Sequence, residues 1–155
     1  MKLYLVQHGE AVSAEVDPGR PLTGKGREDA RKVAGFLKAA GITVDVIWHS
    51  AKRRAIETAG IFEEALGPGG GSVQKEGLAP NDPAEPVLSA VEAENRDIML
   101  VGHLPFLQKL ASMALSGNGS YETIRFIMAG AVCLEREGYG SWRIGFMITP
   151  DLLKV

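Results

Sequence analysis

Cysteine is nearly absent: the 155-residue chain has a single one, Cys133. An internal disulfide is therefore excluded, and Cys133 reads as a core residue. Histidine is scarce too. The three present, His8, His49 and His103, have no Cys-x-x-Cys or His-x-x-x-His spacing beside them, so no metal or other cofactor is expected. Basic excess is missing as well: 17 Lys and Arg against 19 Asp and Glu leave a formal charge of −2. A nucleic-acid binder held by phosphate contacts is excluded on that ground, and any basic site must be local. Long apolar runs are lacking. The stretch Leu3 to Val6 after Lys2 is too short for a signal-peptide core, and nothing approaches a membrane span of about 20 residues, so the expected setting is cytoplasmic with no membrane partner.

What is present suits one buried core. Apolar residues make up 45% of the chain, and the length is too small for two ordinary domains, so residues 1–155 are expected to form a single one. Short β-type runs alternate with helical periodicity over the first two thirds. Leu3 to Val6, Val44 to Trp48 and Asp97 to Val101 read as strands. Between them, Thr23 reads as the N-cap of a first helix with Ala30, Val33, Ala34 and Leu37 inward and Gly41 closing it. Ser50 reads as the cap of a second helix with an Ala55, Ala59, Phe62 and Leu66 stripe. The run Gly67-Pro68-Gly69-Gly70-Gly71 reads as a flexible connector, since it has neither the lysine nor the hydroxyl of a phosphate loop.

Asp82-Pro83-Ala84-Glu85 supplies an N-cap, a proline at N1 and an acid at N3 for a third helix, and Pro105 opens a fourth that ends before Gly117. Residues 131–135 and 142–148 read as a hairpin around Gly138-Tyr139-Gly140, with Trp142, Ile144, Phe146 and Ile148 on one face. The expected fold is α/β: a three-layer sandwich with a mainly parallel central sheet, helices on both faces and a late antiparallel element.

The chemistry lies at strand ends. His8-Gly9 and Gly102-His103 each stop a short apolar strand, and a third strand ends at His49-Ser50 ahead of Lys52, Arg53 and Arg54. If these strands are parallel, their carboxyl ends gather two imidazoles and an arginine cluster in one crevice, where open α/β folds bind ligands. Helix N-termini with cationic side chains form a receptor for a tetrahedral anion. Read alone, each histidine could merely end a strand or enter a helix. His49 reads as a packing residue, and Lys52 and Arg53 as solvated charges.

Four segments together resemble the histidine phosphatase superfamily, in particular its short SixA-type protein phosphohistidine phosphatases. They are Gln7-His8-Gly9-Glu10-Ala11, Arg20-Pro21-Leu22-Thr23, Ser50 to Thr58, and Val101-Gly102-His103-Leu104-Pro105. The resemblance covers nearly the whole chain. It implies that His8 is a nucleophile that becomes phosphohistidine, and that Arg54 and His103 hold the phosphoryl oxygens. Gln7, Gly9 and Arg20 would line the same pocket. The best-matched general acid is Asp17 in the Asp17-Pro18-Gly19 loop, which reads equally well as a turn former; Glu10 is the alternative.

The implied activity is that of a metal-independent phosphatase acting on a protein phosphohistidine, a signal-transduction substrate. The alternatives are a small-phosphoester phosphatase and a phosphate- or phosphoprotein-binding pseudoenzyme. The last is motivated by Gln7, which stands where the family has arginine, and Ala51 likewise replaces a family proline.

Overall fold

The computed structural model describes residues 1–154, so the expected domain reaches one residue, Val155, beyond what is described. Six strands form one sheet: β1 (Lys2–Gln7), β2 (Val46–His49), β3 (Ser72–Gln74), β4 (Ile98–Gly102), β5 (Ala131–Glu135) and β6 (Arg143–Ile148). Their order is β3-β2-β4-β1-β5-β6. The first four strands run parallel, β5 lies antiparallel to β1, and β6 antiparallel to β5. Helices α1 (Gly24–Ala39), α2 (Arg53–Leu66), α3 (Glu85–Glu94) and α4 (Phe106–Ser116) cover the sheet.

Strands buried on both faces must be apolar at nearly every position, which is why β1, β2 and β4 read as hydrophobic runs. Their side chains alternate between two cores. Leu3, Leu5, Ile98 and Leu100 join Val87, Val91, Leu107 and Leu110 of α3 and α4. Tyr4, Val6, Met99 and Val101 join Ala30, Val33, Leu37, Ala59 and Phe62 of α1 and α2. This is the three-layer α/β arrangement with the late antiparallel element, and it places β2, β4 and β1 side by side so that their carboxyl ends share one edge.

Local readings depart from the structure in four places. Strand β3 follows directly on the glycine run; three residues with only Ser72 partly sheltered carry too little periodicity to stand out. Helix α3 starts at Glu85 with Pro86 in its first turn, because Asp82 turns back to accept from the Ala79 N–H at 2.9 Å instead of capping. Helix α2 has Lys52, not Ser50, at its N-cap, with no side-chain cap bond. In β6 the single apolar face is broken. The register shifts between Cys133 and Leu134, so that Leu134 opposes Ile144 while Cys133 opposes Phe146. The extra residue is Gly145, where a β-carbon would lie 2.7 Å from Glu135 Oε1. Trp142 therefore packs in the α3/α4 core and Phe146 against the α1/α2 core.

Candidate active site

The segment after β1 is held from three sides. The His8 N–H donates to the Gly102 carbonyl at 3.0 Å, continuing the β1–β4 pairing to the sheet edge. The Gly9 N–H donates to Thr58 Oγ1 at 3.0 Å, and that hydroxyl donates to the Arg54 carbonyl at 2.7 Å one turn earlier in α2. The third side is α1. A β-carbon on Gly9 would come within 2.9 Å of the Gly26 carbonyl, and one on Gly26 would overlap the Glu10 backbone. Two glycines therefore let the helix start and the loop touch backbone to backbone. Thr23 caps α1 through the Gly26 N–H as expected, and its hydroxyl donates to Glu10 Oε2 at 2.7 Å.

These restraints fix the state of His8, which is buried with 9% of its surface exposed. Its Nδ1 lies 2.7 Å from the Gly9 carbonyl oxygen. A carbonyl only accepts, so Nδ1 carries the proton and Nε2 presents a lone pair. Arg54 Nε donates to that Nε2 at 3.3 Å. Burial pushes the His8 pKa below 6.5; the Gly9 bond opposes this, and the Arg54 and Arg20 charges add to it. Arg54, the second residue of α2, leans back over the strand ends as helical side chains do.

The His103 ring centroid is 5.1 Å from that of His8, and its Nε2 is 2.6 Å from Ser50 Oγ. Burial, followed by His8, Arg54, Lys52 and Arg20, pushes its pKa down to about 3, so the ring is neutral near pH 7. His8, Arg54 and His103 thus meet at the shared strand edge, as the strand ends suggested. Arg20 and Lys52 act on it electrostatically. Arg53 does not serve as a free charge: with Arg27 it grips Glu57, at 3.6 and 2.8 Å.

The other expected residues lie in β1 and β2 or in the segments next to them. Residues 11–22 form a clip closed by an Ala11–Leu22 bridge and the Val12 N–H to Pro21 carbonyl bond. Within it Arg20 adopts φ 46°, a left-handed conformation that side chains other than glycine rarely take, and its Nε donates to the Val12 carbonyl at 3.1 Å. Asp17 Oδ1 accepts from the Gly19 N–H at 2.9 Å, so this carboxylate shapes its own turn. Gln7 and Glu10 lie on the wall of a neighbouring cavity of about 530 Å³, together with Leu104, Phe126 and Met128. His49 is buried, with its Nδ1–H on the Ser50 carbonyl at 2.9 Å, a packing arrangement. Among the described residues, no group of three or more His, Cys, Asp or Glu is placed to hold a metal ion, and no helix is long and apolar enough to cross a membrane.

Three contributors escaped the reading of single residues. Ser50 looked like a helix cap and faces His103 instead. Thr58 belonged to a recognised segment without a role; its position four residues after Arg54, on the same helix face, was the available signal. The Gly9 carbonyl is backbone and leaves no side-chain trace.

Comparison with known proteins places this geometry in context. The sequence profile described as the histidine phosphatase superfamily, branch 1, matches residues 3–79. An uncharacterised protein of Picosynechococcus sp. is 36% identical over 126 residues, covering 76% of this chain and 74% of that protein. A 2,3-bisphosphoglycerate-dependent phosphoglycerate mutase of Parvibaculum lavamentivorans is 40% identical over 74 residues, 43% of this chain and 34% of the mutase. Among solved structures, the protein histidine phosphatase SixA complexed with tungstate superposes with a TM-score of 0.88. That likeness, at 21% identity, spans 99% of this chain and 100% of SixA and is one of fold.

Proposed function

Since the chain belongs to the histidine phosphatase superfamily, we propose that it hydrolyses a phosphohistidine carried by a protein, through a covalent phosphoryl intermediate on His8. The observation that carries this reading is the state of His8: neutral, its proton held on Nδ1 by the Gly9 carbonyl, its Nε2 lone pair beside the Arg54 guanidinium. In the first step Nε2 attacks phosphorus, a new N–P bond forms and the P–N bond to the substrate imidazole breaks. The departing nitrogen takes a proton from a general acid. In the second step water attacks phosphorus, the P–Nε2 bond breaks and a water proton returns to the general acid's carboxylate, releasing inorganic phosphate and regenerating neutral His8. Arg54, with the Arg20 field behind it, offsets charge on the phosphoryl oxygens; His103 and Gly9 complete the cradle, with Gln7 at its side.

Asp17 is assigned as the proton donor, with Glu10 as the alternative, and the steps as written use no metal. We place the activity in cytoplasmic signal transduction. A second reading, a small-phosphoester phosphatase, draws on the likeness of the N-terminal half to the mutase and on the cavity next to Gln7. Turnover of a phosphohistidine phosphocarrier against a panel of sugar phosphates separates the two. Preference for the phosphocarrier, lost in His8→Ala with the circular dichroism spectrum retained, supports the first. Preference for the sugars overturns it, and phosphate binding without turnover of either marks a pseudoenzyme.

A further inference from the structure

His103 Nδ1 is fully buried and has no hydrogen-bond partner among the described residues. Buried polar groups are rarely left so, and a stranded one at a site calls for a reason. Its cause lies on the other side of the ring, where Nε2 meets Ser50 Oγ at 2.6 Å. Either group could donate, and counting hydrogens decides between them. Ser50 is itself buried, with 2% of its surface exposed, and its Oγ already lies 3.3 Å from the Lys52 N–H, which can only donate.

If Nε2 also donated to Oγ, the serine's own hydrogen would lack an acceptor and the histidine would be left with a buried bare lone pair on Nδ1. Two buried groups would then be unmet. If the hydroxyl donates to Nε2, only one is unmet, an N–H on Nδ1. That remaining group is a donor on a ring 5.1 Å from the His8 ring.

We propose that Ser50 is a positioning residue: by donating to Nε2 it locks neutral His103 in the Nδ1–H tautomer and so keeps one oriented donor for an oxygen of the substrate. The role of His103 as a partner of phosphoryl oxygen rests on the function proposed above; the tautomer does not. An N–H donor is the useful state here, because a bare nitrogen in its place would repel an oxyanion instead of binding it.

The test begins with the wild-type protein and needs no turnover. Two-dimensional ¹⁵N–¹H correlation of the imidazole nitrogens distinguishes a protonated nitrogen from a bare one. The expected spectrum shows Nδ1 protonated and Nε2 bare in His103, with the Nδ1 proton moving downfield on addition of inorganic phosphate. A protonated Nε2 overturns the proposal. A correct tautomer with no response to phosphate overturns the assigned acceptor while leaving the Ser50 interaction standing.

In kinetics, Ser50→Ala should lower kcat about ten-fold with little change in KM, and Ser50→Thr, which keeps the hydroxyl, should restore most of it. Loss in both variants, or in neither, contradicts a positioning role. Should Ser50→Ala fail to fold, the wild-type spectrum and the threonine variant still decide. Absence of phosphatase activity in the wild type with the Nδ1–H tautomer present would count against the proposed function alone.

Discussion

Thr58 joins the loop that carries His8 to the helix that carries Arg54, and its replacement by valine removes that junction without changing side-chain shape. Thr58 is fully buried; its Oγ1 accepts from the Gly9 N–H at 3.0 Å and donates to the Arg54 carbonyl at 2.7 Å. That carbonyl sits inside α2, where valine keeps the backbone bond, so its loss is small. The Gly9 N–H is different, because no water or side chain replaces its acceptor in a packed position. Leaving one buried donor unmet costs about 1–3 kcal/mol. With a urea slope of roughly 1–3 kcal/mol/M for a small domain, the unfolding midpoint should fall by about 1 M.

The functional effect of Thr58→Val should exceed the structural one, since the Gly9 carbonyl, on the same residue, holds the His8 Nδ1 proton. A displacement of about 1 Å at a reacting group can slow turnover about a hundred-fold, so kcat is expected to drop ten- to a hundred-fold. Thr58→Ser should recover both properties. Urea titration followed by circular dichroism gives the first number and phosphohistidine turnover the second. A valine variant with unchanged midpoint and unchanged kcat would refute the claim that this hydroxyl positions the nucleophile.

Gln7→Arg should raise kcat/KM only a few-fold in the native background, because Arg20 already acts on both imidazoles, and by up to about a hundred-fold in an Arg20→Ala background. Equal gains in the two backgrounds would show that Arg20 does not compensate. Gly26→Ala should impair stability and turnover together by pushing Glu10 and the His8 loop off α1; an active, fully stable variant would contradict that contact. The acid limb of kcat/KM should have its midpoint below pH 6.5, since burial lowers the His8 pKa and attack needs the neutral ring.

Stability should follow His103: folded it stays neutral to about pH 3, while the unfolded chain takes up the proton near pH 6.5. The unfolded state therefore binds more protons between these values, and stability should fall as pH drops through that window, by about 1.4 kcal/mol per pH unit. Denaturant midpoints at pH 6.0 and 5.0 for wild type and His103→Asn measure this, and parallel losses in the two would contradict it.

The sheet was legible because burial on both faces forces β1, β2 and β4 to be apolar almost throughout, and glycine and polar residues mark where each stops. Helices were legible from their inward stripes, less so from their caps. Ser50 and Asp82 each have the chemistry of an N-cap, but other partners claimed them: His103, distant in sequence, in one case and the local Ala79 turn in the other. Gly145 concealed the bulge that divides Trp142 from Phe146, since alternation counted along a sequence cannot register an extra residue. At the site, residue type and strand-end position drew attention to His8 and His103, while Arg54 was singled out from Lys52 and Arg53 only by the family resemblance. The groups that set their protonation and direction, a glycine carbonyl, a threonine one helical turn along and a serine hydroxyl, depend on which strands become neighbours. The chain carries that information only through its fold.

The central claim is that His8 accepts the phosphoryl group on Nε2. Protein mixed with a ³²P-labelled phosphohistidine phosphocarrier, quenched in alkali during turnover and mapped by mass spectrometry, should carry phosphate on His8, and ³¹P–¹⁵N coupling in labelled protein should place it on Nε2. Turnover with no phosphorylated His8, or phosphate on Nδ1 or on another residue, would contradict the account.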